Sequence, residues 1–229
     1  MTHIGGSARF SLPFPLSFAL PLPLVLASSS RYRAQMLADA GLESRIDPPY
    51  VDERSFDEQL GQLGPEGLAL LLAQKKAQSV TPRHSAALVL AGDQVGVVEI
   101  DGGFLQLHKK PDEESAAKQL MAMSGTTHRL VNALVLHNTS TGQIETGIDV
   151  QRVTMRSFAE QEAREYLRRF KPYDSSGSYR LEDQDFMLDG TKFVIEVQGE
   201  HASGVLGLPL PLLGRMLAAI TADPPAATR

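Results

Sequence analysis

Apolar and polar positions change their period along the chain in a way that predicts alternating strands and helices. Leu22–Ala27 is a short apolar run that reads as a strand, and it gives way to Ser28-Ser29-Ser30. A helical pattern follows over Arg31–Ala40 and stops at Gly41. Asp47-Pro48-Pro49-Tyr50-Val51-Asp52-Glu53 is expected to be extended, because a proline pushes the residue before it out of helical geometry. A second helix is predicted from near Pro65, a residue that suits the first helical turn. Its Leu68, Leu71, Leu72 and Ala73 share one face, and Lys75 and Lys76 come near its end, where cations complement the helix dipole.

Ala86–Ala91 is a continuous apolar run, expected to be a buried central strand with Gly92 and Asp93 at its end. Gln94–Ile100 and Phe104–Leu107 flank Asp101-Gly102-Gly103, a hairpin pattern. A helix over Glu113–Met123 ends at Gly125. His128–His137 and the alternating Ile144–Arg156 read as strands around the turn cluster Asn138–Gly142. Helix Glu160–Phe170 stops before Pro172, Phe193–Val197 reads as a strand, and Leu212–Ile220 as a last helix. The order implies an α/β fold with a mixed sheet flanked by helices. The expected organisation is one domain over residues 22–221, parting near residue 125 into two lobes around a cleft.

The ends are read differently. Phe10–Ala27 is apolar enough to suggest a signal peptide, but only Arg9 precedes it, and Pro13, Pro15, Pro21 and Pro23 interrupt the helix such a segment needs. The run is also short for a membrane span. Residues 1–21 are expected to be an irregular extension, and residues 222–229, with Pro224 and Pro225, a frayed tail.

Charge and composition narrow the chemistry. The 229-residue chain has a net charge of −5 and no dense basic tract, which argues against binding nucleic acid through its phosphates. Cysteine is absent, so disulfides, thiolate zinc sites and cysteine nucleophiles are excluded. That absence fits a reducing compartment, and a cytoplasmic protein without membrane partners is expected.

The strand-to-helix turn at Ser28–Arg33 has the local build of an anion site. Unpaired N–H groups and the dipole make a helix start partly positive, while serine hydroxyls and arginine forks match phosphate oxygens. The alternative is that a serine merely caps the helix. Asp93 follows a strand, where ligand clefts of α/β sheets form, and its carboxylate could bind magnesium or take a proton from water; the alternative is a plain Gly-Asp turn. Asp52, Glu53, Lys76, Lys109, Lys110 and the cluster Asp174-Ser175-Ser176-Gly177-Ser178-Tyr179 add acids and cations at predicted element ends. Together they are the inventory of metal-assisted phosphoryl or pyrophosphate hydrolysis. No Walker loop, dinucleotide fingerprint, Gly-x-Ser-x-Gly elbow or metalloprotease histidine spacing is present. His128, at a strand start, reads as structural.

Seven motifs in order resemble the Maf family of nucleoside triphosphate pyrophosphatases over about residues 22–220. They are Leu26–Arg33, Val51–Glu53, Leu72–Ala77, Gly92–Gln94, Ser124–His128, Asp174–Tyr179 and Val205–Leu210. The resemblance implies a Maf-like fold, similar to that of inosine triphosphate pyrophosphatase, with a central cleft. It implies hydrolysis between the α and β phosphates of a nucleotide with a divalent cation, magnesium, manganese or cobalt. Asp93 would be the proton acceptor and a metal ligand with Glu53. Ser28, Ser30, Arg33, Lys76 and a lysine of the Lys109-Lys110 pair would hold phosphate. Three specificity positions read Tyr32, Gln94 and Glu182, which resembles the 7-methyl-GTP branch rather than the dTTP/UTP branch. An aromatic face suits a positively charged methylated guanine, and a carboxylate can accept from the guanine N–H edge.

The chain departs from the family pattern at Arg31, Ala34, Ser176 and Asp183–Gly190, and the lysine loop is one residue out of register. Which of Lys109 and Lys110 faces the site stays open at this point. Two other functions are compatible with the motifs: a dTTP/UTP pyrophosphatase, and a non-catalytic nucleotide-binding regulator of septum formation. The expected partner is a nucleoside triphosphate, and the oligomeric state is open, a homodimer being one option.

Overall fold

The computed structural model describes residues 20–181, 183 and 192–221. The expected extension over residues 1–21 lies, apart from its last two residues, outside the described residues, as do the tail 222–229 and Glu182.

The elements are β1 (Leu24–Ala27), α1 (Arg31–Asp39), β2 (Ser44–Ile46), α2 (Leu60–Val80), β3 (Leu88–Ile100), β4 (Gly103–Leu107) and α3 (Glu113–Met123), then β5 (Thr127–Asn138), β6 (Ile144–Met155), α4 (Glu160–Phe170), β7 (Val194–Gln198) and α5 (Leu210–Thr221). A 3-10 turn over Glu53–Gln59 leads into α2, and another over Ala202–Gly204 precedes α5. The α2 helix is interrupted at Gly64 (φ 66, ψ 172), so its regular part begins at Pro65, as its proline predicts.

The expected α/β fold with a mixed sheet is borne out. Among the described residues, seven strands form one sheet in the order β2-β1-β3-β5-β6-β7, with β4 on β3. The pairs β1–β2 and β1–β3 are parallel, and the others are antiparallel. Asp101 (φ 48) and Gly102 (φ 79) turn the β3–β4 hairpin where the sequence places it.

Alternation along the strands divides the core. Val25, Val89, Val131 and Val135 face α2, packing on Leu68, Leu72 and Ala73. On the other face Leu24, Leu26, Leu88, Leu90, Leu134 and Leu136 pack under α1 and α5. Further along that face Val98, Leu130, Val153 and Met155 pack under α3 and α4. Asn132 lies between Leu130 and Leu134 on the same face of β5 and is fully buried. A polar position thus separates two apolar clusters.

The apolar run ending at Ala91 led the sequence reading to end a strand there, with Gly92 and Asp93 beyond it. The strand instead runs unbroken to Ile100, and it is the neighbouring strand that ends. Ala27, the last residue of β1, is opposite Ala91. On the same edge of β3, pairing resumes only with β4, where Gly96 is opposite Leu107. Residues 92–95 keep their β5 partners, and among the described residues no strand pairs with them on the other side. That opening in the sheet is where the polar groups collect.

Candidate active site

A cavity of about 540 Å³ lies at the opening beside β3. Its wall includes Ser28, Ser30, Tyr32, Arg33, Glu53, Lys76, Asp93, Gln94 and Lys109. Nine positions singled out from the sequence therefore converge on one space. Lys110, next to Lys109, is not among the lining residues. Glu182 lies outside the described residues.

The turn after β1 builds one wall. Ser30 is the N-cap of α1, its Oγ accepting from the Arg33 backbone N–H. Capping and site membership are therefore not alternatives here. Ser28 Oγ accepts from the Ser30 N–H at 3.1 Å. Arg33 is tied into the fold by its own hydrogen bonds: Nε donates to Gly207 O at 2.8 Å, and Nη1 donates to Gly92 O at 2.9 Å and to Ser28 Oγ at 3.3 Å. The guanidinium stitches α1, β3 and the Gly207 turn together. Burial pushes its pKa down from the ordinary value, while Asp93 and then Glu53 pull it back up.

Lys76 is not a helix-end cation, because α2 continues to Val80. It belongs to the buried stripe of Leu68, Ala69, Leu72, Ala73, Ala77 and Val80, and its ammonium reaches through that face to the sheet opening. There Nζ donates to Asp93 Oδ1 at 2.5 Å and lies 2.8 Å from Glu53 Oε1. Asp93 is 5% exposed, and Lys76 is 6% exposed, so little water separates the pair. Burial raises the Asp93 pKa above the usual carboxylate value; Lys76 opposes this, Glu53 adds to it and Arg33 opposes it. Asp93 is thus a buried carboxylate whose charge is offset chiefly by Lys76.

Successive residues of a strand face opposite sides, so Asp93 meets α2, and Gln94 faces the turn before α5. Gln94 Nε2 donates to Asn132 Oδ1, Gly204 O and Val205 O at 3.0, 3.1 and 3.2 Å. Both side chains still line the one cavity because the sheet is open at this edge. Tyr32 is 48% exposed at the rim, with its ring available for stacking.

Asp174–Gly177 and Tyr179–Leu181 also line the cavity. The sequence reading did not single out Arg180, which lines the cavity and pairs with Asp174 and Asp183. Nor did it find Gln119 on α3. Gln119 Oε1 accepts from the His108 N–H, and Nε2 donates to His108 O, Ser176 O and Ser178 Oγ, all at 2.8–2.9 Å. One buried amide therefore clasps the chain just before Lys109 to the serine-rich wall. His128 does not line the cavity; it is fully buried, with Nε2 2.8 Å from Tyr179 Oη.

The chain matches the family described as Maf-like protein over residues 23–220. It belongs to the Maf family. Among its curated Maf relatives, a protein of Nitrosococcus oceani named 7-methyl-GTP pyrophosphatase is 38% identical over 90% of this chain and 96% of its own length. One of the same name from Methylobacillus flagellatus is 34% identical over 88% of this chain and 98% of its own length. A protein of Rhodopseudomonas palustris named nucleoside triphosphate pyrophosphatase is 39% identical over 85% of this chain and 92% of its own length. The Maf match covers every cavity-lining residue named above.

The pyrophosphatase names raise the need for a divalent cation. Among the described residues no group of three or more histidines and carboxylates could grip an ion alone. Asp93 and Glu53, both oxygen donors on one cavity wall, suit a hard cation that takes its other ligands from water and substrate phosphates. The donor set fits such an ion and does not select among magnesium, manganese and cobalt.

Proposed function

We propose that this chain is a nucleoside triphosphate pyrophosphatase that cleaves the α–β phosphoanhydride, with 7-methyl-GTP as its substrate. The observation that carries the reading is the Asp93–Lys76–Glu53 set at a sheet opening, in a cavity large enough for a nucleotide and shared with Arg33, Lys109 and Tyr32. The names of the relatives support both the reaction and the substrate.

In this reading the triphosphate lies between the Ser28–Arg33 turn and Lys109. The donors there match phosphate oxygens and offset charge as pyrophosphate leaves. Water adds across the α–β anhydride: its oxygen bonds to phosphorus, the bridging P–O bond breaks, and nucleoside monophosphate and pyrophosphate are released. Lys76 donates to Asp93 Oδ1 and holds the carboxylate in place to accept the water proton. Glu53 and Asp93 would hold a divalent cation, which supplies Lewis-acid neutralisation of phosphate charge. Tyr32 would stack on the cationic ring of a 7-methylated guanine. Glu182 is proposed as a specificity residue on its sequence position alone. A protein of the cytoplasm acting on free nucleotides is the proposed setting; among the described residues no helix is long and apolar enough to cross a membrane.

Pyrophosphate release from a nucleotide panel, with and without magnesium, tests the reading. Asp93→Asn should lower kcat/KM about 10²–10⁴-fold while nucleotide binding persists. Retained hydrolysis in that variant would refute Asp93 as the base. Equal or faster turnover of dTTP or UTP by the unaltered protein would refute the substrate. A nucleotide-binding regulator without catalysis would show binding and no pyrophosphate release.

A further inference from the structure

Gln94 does not stand alone. Register places Gln94 on β3 opposite Asn132 on β5, and Asn132 opposite Asp149 on β6, so the three form one straight row across the sheet. Asn132 Nδ2 donates to Asp149 Oδ2 at 3.0 Å and to Gly204 O at 2.8 Å, while its Oδ1 accepts from Gln94 Nε2. Gln151 Nε2 donates to both oxygens of Asp149. Asn132 is 0% exposed and Asp149 8%, and neither lines the cavity. Gly204 packs closely on the row: a Cβ there would come within 2.4 Å of Asp149 Oδ2.

Each member of the row constrains the next. Both Asp149 oxygens act as acceptors, taking bonds from Gln151 Nε2, so Asn132 turns its NH2 toward Asp149. That leaves the Asn132 carbonyl facing Gln94, which must present its own NH2 there. The donor end of Gln94 is then consumed among acceptors at Asn132, Gly204 and Val205, and its amide oxygen is the polar atom left for the cavity.

We propose that Asp149 and Asn132 are positioning residues that, together with the backbone oxygens of Gly204 and Val205, set the hydrogen-bond polarity of Gln94, so that the base site offers an acceptor and selects a nucleobase with a protonated ring nitrogen. The proposal rests on the pyrophosphatase reading for its substrate but not for its geometry. Guanine N1 carries a proton, whereas adenine N1 does not, so the ratio of kcat/KM for 7-methyl-GTP over ATP reports the polarity.

The test compares this ratio in the unaltered enzyme, Asp149→Leu, Asp149→Asn and Gln94→Ala, with folding followed by circular dichroism. Leucine keeps the branched shape and removes the acceptor; asparagine can still offer an oxygen to Asn132. Asp149→Leu should lower the ratio about tenfold, the worth of one hydrogen bond to the base, Asp149→Asn should restore it, and Asp149→Leu should have no effect in the Gln94→Ala background. An equal loss for both nucleotides, or the same loss with Gln94 removed, would reduce the row to scaffolding and overturn the proposal. Should Asp149→Leu fail to fold, nuclear magnetic resonance decides. The side-chain NH2 signals lost in Gln94→Ala must be protected from solvent exchange in the unaltered protein and lose protection in Asn132→Ala; equal protection in the two would refute it. A protein that hydrolyses no triphosphate would defeat the proposed function, while the exchange measurement would still judge the row.

Discussion

At the scale of single residues, the pairing of Asp93 with Lys76 decides how the site responds to pH. As the proposed base, Asp93 must be ionised to accept a proton, so activity is expected to rise as pH climbs through its pKa. Burial holds that pKa above the usual carboxylate value, and Lys76 restrains the rise. Lys76→Met should remove the restraint, raise the Asp93 pKa further and move the acidic limb of kcat/KM to higher pH. It should also lower stability by about 3 kcal/mol, since one member of a buried pair is left uncompensated. A pH–rate profile beside a urea titration checks both, and an unmoved acidic limb would mean that Asp93 does not titrate in catalysis. Lys76 is legible as a candidate site residue from its motif, but it does not end the helix, which continues to Val80. The signal was present in the sequence: Lys76 follows Leu68 and Leu72 at intervals of four, on the buried stripe.

At the scale of elements, the periodic pattern locates most of the fold. Helices α3 and α4 run from Glu113 to Met123 and from Glu160 to Phe170 as predicted. What a linear pattern could not convey is which edge of a strand lacks a partner. Asp93 looked like a strand terminus because the apolar run stops at Ala91, whereas the polar residues sit within β3 and the gap belongs to its neighbours. Asn132 was equally hidden, as one polar residue within an apolar strand, though an inward polar position of that kind is itself a sign of a partnered group. Gln119 shows the same limit on a helix. Its four hydrogen bonds join loops far apart in sequence. Gln119→Leu should strand the His108 and Ser176 backbone groups, cost about 1–3 kcal/mol in stability and loosen Lys109. KM for the triphosphate should rise, and the effect should vanish when Lys109 is already alanine. Additive losses in the double variant would show that Gln119 supports the fold without acting through Lys109.

At the scale of the whole molecule, strands β3 and β5 pass through all three apolar clusters, so the clusters share a backbone rather than forming separable cores. Perturbing one buried group should therefore move global unfolding. His128 is the sharpest case. It is fully buried on β5, and desolvation drops its pKa from 6.5 to about 4. Between those values the unfolded chain binds a proton that the folded chain refuses, so stability falls as pH falls through that window. By pH 4 the loss from this group approaches about 3 kcal/mol relative to neutral pH. Asp93, whose pKa is raised, works in the opposite sense and favours the folded chain as pH falls. The contribution of the histidine is therefore isolated by difference. His128→Gln can keep a hydrogen bond to Tyr179 but cannot titrate, so its stability should decline less steeply than that of the unaltered protein between pH 6.5 and 4. Parallel urea unfolding curves at both ends of this range provide the comparison, and identical slopes for the two proteins would show that His128 takes up its proton without opening the core.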